Sequence, residues 1–215
     1  MNITDNIAAY ITCIPEEAIE KVKKRVKQAD GGIIRAEYYL GGERVGERLF
    51  DPPGELICEY SFRNGVKHGW QYRWDSPDKL LSAQPYQNGL PHGVANQWGR
   101  DGRLIGSYAM TYGTGIDIWF QDCEDGRVDL HEVYYEIDGV QHGYEWHFYD
   151  NRRLIEEKYW QEGKLHGIER RWNFKGGMGR SYPLYWVRGE RHSKARYLKA
   201  CMINTALPVY DVRDD

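Results

Sequence analysis

The chain has 215 residues and a formal net charge of −3, with 28% charged residues, 8 tryptophans and 17 tyrosines. This near-neutral balance argues against strong electrostatic attraction to nucleic acid, and no apolar run reaches the ~18 residues of a membrane-spanning helix. The first residues lack a basic segment followed by an apolar core, so we expect no secretory signal and a cytoplasmic location.

Residues 1–32 form an N-terminal segment for which we predict a capping helix over about residues 15–29. Pro15 and the two glutamates after it suit the first turn of a helix and the positive end of its dipole. The apolar residues at helical spacing are Ile19, Val22 and Val26. A lysine-rich opposite face would also suit an anionic membrane. The apolar stripe is thin, however, so a helix that covers the open end of the following repeats is favoured.

Residues 33–195 repeat one short pattern about seven times. The leading glycines of the copies are Gly42, Gly65, Gly89, Gly113, Gly139, Gly163 and Gly189. Their spacing of 23–26 residues is typical of repeat architectures. Strand-like runs flank each Asn-Gly or Asp-Gly pair, and this arrangement predicts a hairpin because both turn positions need positive φ. Connections between hairpins are also short, so we predict an all-β fold, a single elongated antiparallel meander of about seven hairpins.

Residues 196–215 are predicted to form a C-terminal cap and tail. The stretch Lys194–Cys201 suits one or two helical turns. The extended apolar segment Leu207–Tyr210 is interpreted as a cap that buries the edge of the last strand, and the alternative is a short linear motif for another protein. The acidic end, Asp211–Asp215, is predicted to fray.

The repeated pattern resembles the MORN repeat family, in its bacterial variant form with a unit of about 24 residues. The residues that carry the resemblance in the four strongest copies are Gly65, His68, Gly69, Gly89, His92, Gly93, Gly139, His142, Gly143, Gly163, His166 and Gly167. A further element of the pattern, Asp-Gly-x-Leu, stands at Asp101–Leu104. The resemblance implies stacked hairpins that serve as scaffolds, as lipid-surface binders or, in some bacterial proteins, as antitoxins or immunity proteins.

Aromatic residues recur at the first, third and fifth positions after the second glycine of each copy, and a strand places alternate residues on one face. The resulting candidates for a binding platform are Trp70, Tyr72, Trp74, Trp98, Tyr144, Trp146 and Trp172. The polar residues between them are predicted to face water, and examples are Gln71, Arg73, Gln97, Glu145, His147, Glu169 and Arg171. A sheet with an aromatic face must either curl so that its aromatic residues pack together or bind a partner that covers them.

Five of the seven histidines occupy one repeat position, but a shared metal ion is not expected there. Equivalent positions in adjacent hairpins lie two strands apart, about 9–10 Å, whereas metal–nitrogen distances are about 2 Å. Each imidazole is instead predicted to pack at the base of its hairpin and to bond a backbone carbonyl. The acidic stretch Asp122–Asp129 lacks the spacing of an EF-hand, and Gly176–Arg180 lacks the lysine of a phosphate loop. We predict no metal, no cofactor and no catalytic constellation.

The cysteines form no C-x-x-C pair, so a zinc knuckle is not expected. They are Cys13, Cys58, Cys123 and Cys201. Reduced thiols packed in a cytosolic protein are the favoured interpretation.

Three classes of function remain. The first is a non-enzymatic protein-binding repeat module, and the resemblance makes an antitoxin that neutralises a toxin its most specific form. The second is association with an anionic membrane surface through the repeats or the basic N-terminal segment. The third is an enzyme of an unrecognised kind, which would need a concave pocket with convergent polar groups. Self-association through the sheet edges also stays open.

Overall fold

The computed structural model describes residues 12–26, 32–150 and 153–208. The chain divides into two compact units, Met1–Tyr112 and Gly113–Asp215. Strands account for 63% of the described structure, and the strand pairs within each unit are antiparallel. The prediction of an antiparallel all-β fold is therefore confirmed. No helix in the described part of the chain is both long enough and apolar enough to span a bilayer.

Unit 1 is a meander in which each strand pairs with its neighbour in sequence. Its strands are β1 (Ile19–Val26), β2 (Ile33–Leu40), β3 (Glu43–Phe50), β4 (Leu56–Arg63), β5 (Val66–Ser76), β6 (Lys79–Gln87), β7 (Leu90–Pro91), β8 (Gly93–Trp98) and β9 (Leu104–Thr111). The short β7 and the longer β8 both pair with β6, and β8 pairs with β9.

Unit 2 repeats this arrangement and ends in a helix. Its strands are β10 (Thr114–Asp122), β11 (Val128–Ile137), β12 (Val140–Phe148), β13 (Leu154–Gln161), β14 (Lys164–Leu165), β15 (Ile168–Arg171), β16 (Leu184–Val187) and β17 (Glu190–His192), and the helix is α1 (Lys194–Ile203). Ser193 caps α1, because its side chain accepts a hydrogen bond from the Arg196 N–H.

Besides Pro77-Asp78 between β5 and β6, six two-residue turns join paired strands within the described parts of the units. They are Gly41-Gly42, Asn64-Gly65, Asn88-Gly89, Asp138-Gly139, Glu162-Gly163 and Arg188-Gly189. Their first residues have φ of 51–59° and their glycines have φ of 72–90°. These are the torsions of a type I′ hairpin turn, whose twist matches that of the strands it joins. The fourth copy, Tyr112-Gly113, has similar torsions of 47° and 75°.

The predicted N-terminal helix is wrong wherever the structure describes it. Residues 19–26 form β1, which pairs with β2 from Ile19 opposite Tyr39 to Val26 opposite Ile33. The apolar residues of this segment are β-branched and suit a strand, and a ready-made edge on β2 stabilises that conformation more than local helical spacing does. Residues 27–29 of the predicted helix lie outside the described part of the chain.

Helix α1 covers one face of the last strands of unit 2. Tyr197 is fully buried and packs with Ile168, Tyr185 and Leu207. The sequence predicted a cap along the edge of the last strand, whereas Leu207 packs on the face of β15 and β16. Residues 209–215, including the predicted frayed end, are outside the described residues.

Candidate functional site

One face of unit 1 carries the predicted aromatic platform. On β5, Trp70, Tyr72 and Trp74 alternate with polar residues, and they stand opposite Pro85, Ala83 and Leu80 of β6. The rings of Trp70 and Tyr72 stack with centroids 6.1 Å apart. We call this side the aromatic face. Its composition agrees with the strand alternation expected from the sequence.

Burial along the aromatic face is uneven. Trp74 is only 5% exposed and belongs to the core, so it is not available to a partner. Trp70, Val94 and Leu104 are 39%, 53% and 57% exposed. Leu104 stands opposite the half-buried Trp98 in the β8–β9 ladder. Trp70 and Val94, together with Pro85 and Ala109, form an apolar patch across β5, β6, β8 and β9 that we call the apolar surface. Leu104 lies apart from this patch, beyond the polar pair Asn96 and Ser107.

The chain itself covers the neighbouring part of the aromatic face. Residues Thr12–Ile14, here called the strap, cross β3 and β4. Ile14 is 5% exposed and fills the space above Gly46, where a Cβ would overlap its side chain. Glu59 is fully buried, stands opposite Tyr72, and binds the other two strap residues, Thr12 and Cys13. The part of the aromatic face that the strap covers therefore extends only to β4, and Trp70 lies on the next strand, β5.

Glu59 is fully satisfied by three donors. Its Oε1 accepts hydrogen bonds from the Thr12 hydroxyl at 2.8 Å and from the Cys13 N–H at 2.5 Å. Its Oε2 accepts from Arg48 Nε at 2.7 Å. A buried carboxylate needs such partners because it has left water. Burial, followed by the charge of Glu59, raises the pKa of the Cys13 thiol, so Cys13 stays protonated and is a poor nucleophile.

The predicted platform residues of unit 2 occupy the same kind of face. Tyr144 stacks on Trp146 with centroids 5.2 Å apart and meets Tyr159 edge-on at 5.0 Å. The Trp146 indole donates to Glu157 at 2.9 Å. Trp172 is half-buried and bridges to Met178 outside the main strands. These rings are partly used in packing, so this face offers less free apolar surface than Trp70 and Val94 do.

Three of the repeat histidines tie one hairpin turn to the next. Nδ1 accepts the Asn88 N–H at His68 (3.4 Å), the Tyr112 N–H at His92 (3.2 Å) and the Arg188 N–H at His166 (3.0 Å). The prediction of a bond to a backbone carbonyl is thus wrong in direction, because the imidazole is the acceptor. Where Ile116 replaces histidine, the Thr114 hydroxyl takes over and accepts the Asp138 N–H at 3.1 Å. His142 holds the equivalent place in its copy.

The second glycine of each of the four strongest copies is required either by its backbone torsion or by close packing. Gly69, Gly93 and Gly143 have φ of 92°, 112° and 73°, which a side chain would strain. Gly167 lacks a positive φ, but a Cβ there would lie 2.7 Å from Tyr159 Cβ. These positions are therefore structural.

The polar residues between the platform positions do not all face water, contrary to the prediction. Gln97, Glu145 and Glu169 are only 3%, 5% and 8% exposed. They lie on the face opposite the aromatic one, where the indoles of Trp160 and Trp186 donate to Glu145 at 2.7 Å and to Glu169 at 2.8 Å. The acids are buried because aromatic rings from the neighbouring strands flank and bond them.

Glu145 belongs to an ion-pair network on this face of unit 2. Its Oε1 lies 2.6 Å from His147 Nε2, and Lys158 Nζ lies 3.2 Å from Glu145 and 2.8 Å from Glu156. One ligand atom each from Glu145, His147 and Glu156 fall within 4.8 Å of one another, a grouping that could hold a metal ion. The ammonium of Lys158 already bonds both carboxylates, so a metal ion would have to displace it.

The pKa of His147 gives this network a defined pH dependence. The hydrogen bond to Glu145 raises that pKa, and the charges of Glu145, Glu132 and Glu156 add to the effect against desolvation. A histidine whose pKa is raised in the folded state stabilises the fold at pH values below its unfolded-state pKa of about 6.5. This contribution is lost as the pH rises through the folded-state pKa.

We therefore expect His147→Gln to be most destabilising below about pH 6.5, by about 1.5 kcal/mol, and progressively less so above the folded pKa. Urea unfolding of both proteins between pH 5.5 and 9 measures the difference. His68→Gln, at a half-buried histidine of unit 1 whose Nδ1 accepts a backbone N–H, is the matched control. A difference that is constant over this pH range would show that His147 is not charged in the fold.

Unit 2 also contains a cleft of about 630 Å³ between the C-terminal end of α1 and two turns. Lys164, His166, Arg188 and Asn204 help to line it. Both nitrogens of His166 are engaged, because Nδ1 accepts the Arg188 N–H and Nε2 lies 3.2 Å from the Asn204 carboxamide. With neither nitrogen free, His166 is not placed to transfer a proton to a ligand in this cleft.

Comparison of the sequence with protein-family models and with curated proteins finds no match. The MORN resemblance therefore rests on the repeated residues of the chain itself. The function has to be argued from the surfaces described above.

Proposed function

We propose that this chain is a non-enzymatic protein-binding module made of about seven MORN-like hairpin repeats, and that another protein docks on the apolar surface of unit 1. The observation that carries the proposal is the exposure of Trp70 and Val94 on one sheet face, with Pro85 and Ala109 beside them. Single exposed apolar residues are ordinary, but a contiguous patch that includes a tryptophan is typical of binding sites.

The surroundings of the patch support the same interpretation. The strap supports this interpretation as a chain segment that packs on the same face, since Ile14 and the Cys13 N–H both contact complementary groups there. Beside the strap lies a cleft of about 290 Å³ lined by Cys13, His68 and Trp70, among others. An apolar side chain of a partner would fill this cleft and cover Trp70. The family resemblance suggests that the partner is a toxin neutralised in the cytoplasm.

We expect Trp70→Ala to weaken binding of the natural partner by about 2 kcal/mol, or roughly thirtyfold, because a partly exposed tryptophan is the residue most often dominant in an interface. Tagged wild-type protein captures the partner from the native host, and calorimetry with the purified partner gives the affinities. Val94→Glu, a second variant in the same patch, is expected to act likewise.

Phe174→Ala is the matched control, since Phe174 is 65% exposed in unit 2 and lies outside the patch. Its affinity is expected to equal that of the wild type. Equal binding by all four proteins would refute docking at the apolar surface. If the partner is a toxin, its co-expression with wild type but not with Trp70→Ala is expected to restore growth.

A further inference from the structure

The first strand of unit 1 is an edge of the sheet that the described residues form. In the described part of the chain, β1 pairs with β2 on one side and with nothing on the other. Seven of its eight residues are exposed, including Ile19 at 66% and Val26 at 42%. An edge strand presents a row of unpaired backbone N–H and C=O groups that another strand can pair with.

The charge of this edge is strongly one-sided. Within eight residues β1 carries four cations and a single acid, although the whole chain has a net charge of −3. The cations are Lys21, Lys23, Lys24 and Arg25, and the acid is Glu20. Two of them are held in place by rings of the next strands, since Lys21 Nζ lies 5.1 Å from the Tyr39 centroid and Lys23 Nζ 5.4 Å from that of Phe50.

We propose that β1 is a docking edge for an acidic extended segment of another protein, which adds to unit 1 as a further strand. Backbone hydrogen bonds would supply the ladder, and carboxylates on the added strand would stand beside the cations of β1. Ile19 and Val26 would gain apolar cover from alternate residues of the added strand. This edge is a second surface, separate from the apolar surface of β5–β9, and its use does not depend on docking there.

A second copy of the chain fits this edge poorly. Two β1 strands side by side would bring eight cations into one two-stranded ladder, and like charges directly opposite each other are destabilising. Lysine on an edge strand is a common device against such self-pairing. Anionic lipid and nucleic acid fit poorly for another reason. Phosphate oxygens accept hydrogen bonds but cannot donate to the free carbonyls of the edge, whereas an extended peptide does both.

The test uses the full chain and an acetylated, amidated eight-residue probe in which glutamate alternates with valine. We expect it to bind at low salt, to slow hydrogen exchange at the β1 amides and to weaken as salt rises. A probe with lysine for glutamate is expected not to bind. An acidic probe with alternate backbone amides methylated keeps the charge but loses the ladder, and it is also expected not to bind.

Lys23→Glu is expected to weaken binding of the acidic probe about fivefold at low salt, because Lys23 lies on the face of β1 opposite Val26 and so stands beside the glutamates. Lys175→Glu makes the same charge change at an exposed lysine of unit 2 and is expected to leave the affinity unchanged. Failure of the acidic probe to protect β1, or equal binding of the methylated probe, would overturn the proposal. Binding of anionic vesicles without binding of the peptide would also overturn it, in favour of a lipid surface. The Trp70→Ala result bears on none of these outcomes, so the two proposals can fail separately.

Discussion

Replacing Glu59 by alanine is expected to lower the free energy of unfolding by about 3 kcal/mol and to release the strap from β4. Glu59 is fully buried and accepts hydrogen bonds from Thr12, Cys13 and Arg48. The substitution leaves these donors without their acceptor. Arg48 keeps a side chain that is 30% exposed and can reach water, so we expect the lower end of the range for a broken buried pair.

Two measurements separate the loss of stability from the release of the strap. Urea unfolding gives the free energy, and hydrogen exchange at the Cys13 amide reports whether the strap is bound. Gly46→Ala is a comparison variant that loosens the strap by another route, because its Cβ displaces Ile14 while the Glu59 carboxylate stays in place. Both variants are expected to speed exchange at Cys13. Unchanged Cys13 exchange in Glu59→Ala would mean that Glu59 does not hold the strap.

The hairpin turns could be predicted from the sequence because their requirement is local. A type I′ turn needs positive φ at both central residues, and glycine meets that need at the second one without strain. Asn64 and Asp138 tolerate positive φ at the first position for a related reason, since a short polar side chain can bond locally. Glu162 and Arg188 adopt the same torsions without such help, and only the repeat register pointed to them.

The N-terminal strand could not be predicted from local signals. Ile19, Val22 and Val26 match a helical stripe, and Pro15 matches a helix start, yet the segment forms β1. The deciding factor is the available side of β2, whose partner residues lie 7 to 20 residues away in the chain. Pairing with an existing strand satisfies backbone groups and buries Val22 in part, and neither gain is visible in a local window.

The sequence predicted that the candidate site is an aromatic face of the sheet, but not which residues of that face are exposed. Strand alternation gave the aromatic face, but exposure separates Trp70 from Trp74, which differ by four residues on one strand. Burial at Trp74 comes from its packing against β6, and cover nearby comes from the strap. Glu145 was predicted to face water because charged residues usually do. Its burial depends on the ring of Trp160, which lies 15 residues later in the chain, on the neighbouring strand. Such pairs depend on register across strands.

Replacing Tyr197 by alanine is expected to lower the free energy of unfolding by about 4 kcal/mol and to detach α1 from the sheet of unit 2. Tyr197 is fully buried, its ring lies 5.3 Å from that of Tyr185, and its hydroxyl donates to the Pro208 carbonyl at 2.8 Å. Urea unfolding measures the loss. Tyr197→Phe keeps the ring and is expected to cost about 1 kcal/mol for the missing hydrogen bond.

Met202→Ala is the matched control on the same helix, because Met202 is 86% exposed and its removal is expected to cost less than about 0.5 kcal/mol. Equal losses in Met202→Ala and Tyr197→Ala would exclude Tyr197 as the anchor of α1. The pH dependence gives an independent check through His166, which α1 shields by way of Asn204.

Burial, followed by the charge of Arg188, lowers the pKa of His166. The unfolded chain therefore takes up the proton first, so the contribution of His166 is complete above about pH 6.5 and falls as pH drops below it. Detaching α1 exposes His166 to water and brings its pKa back toward the ordinary value. The part of the acid destabilisation that is due to His166 should then be smaller in Tyr197→Ala than in the wild type, whereas a cavity alone would leave it unchanged.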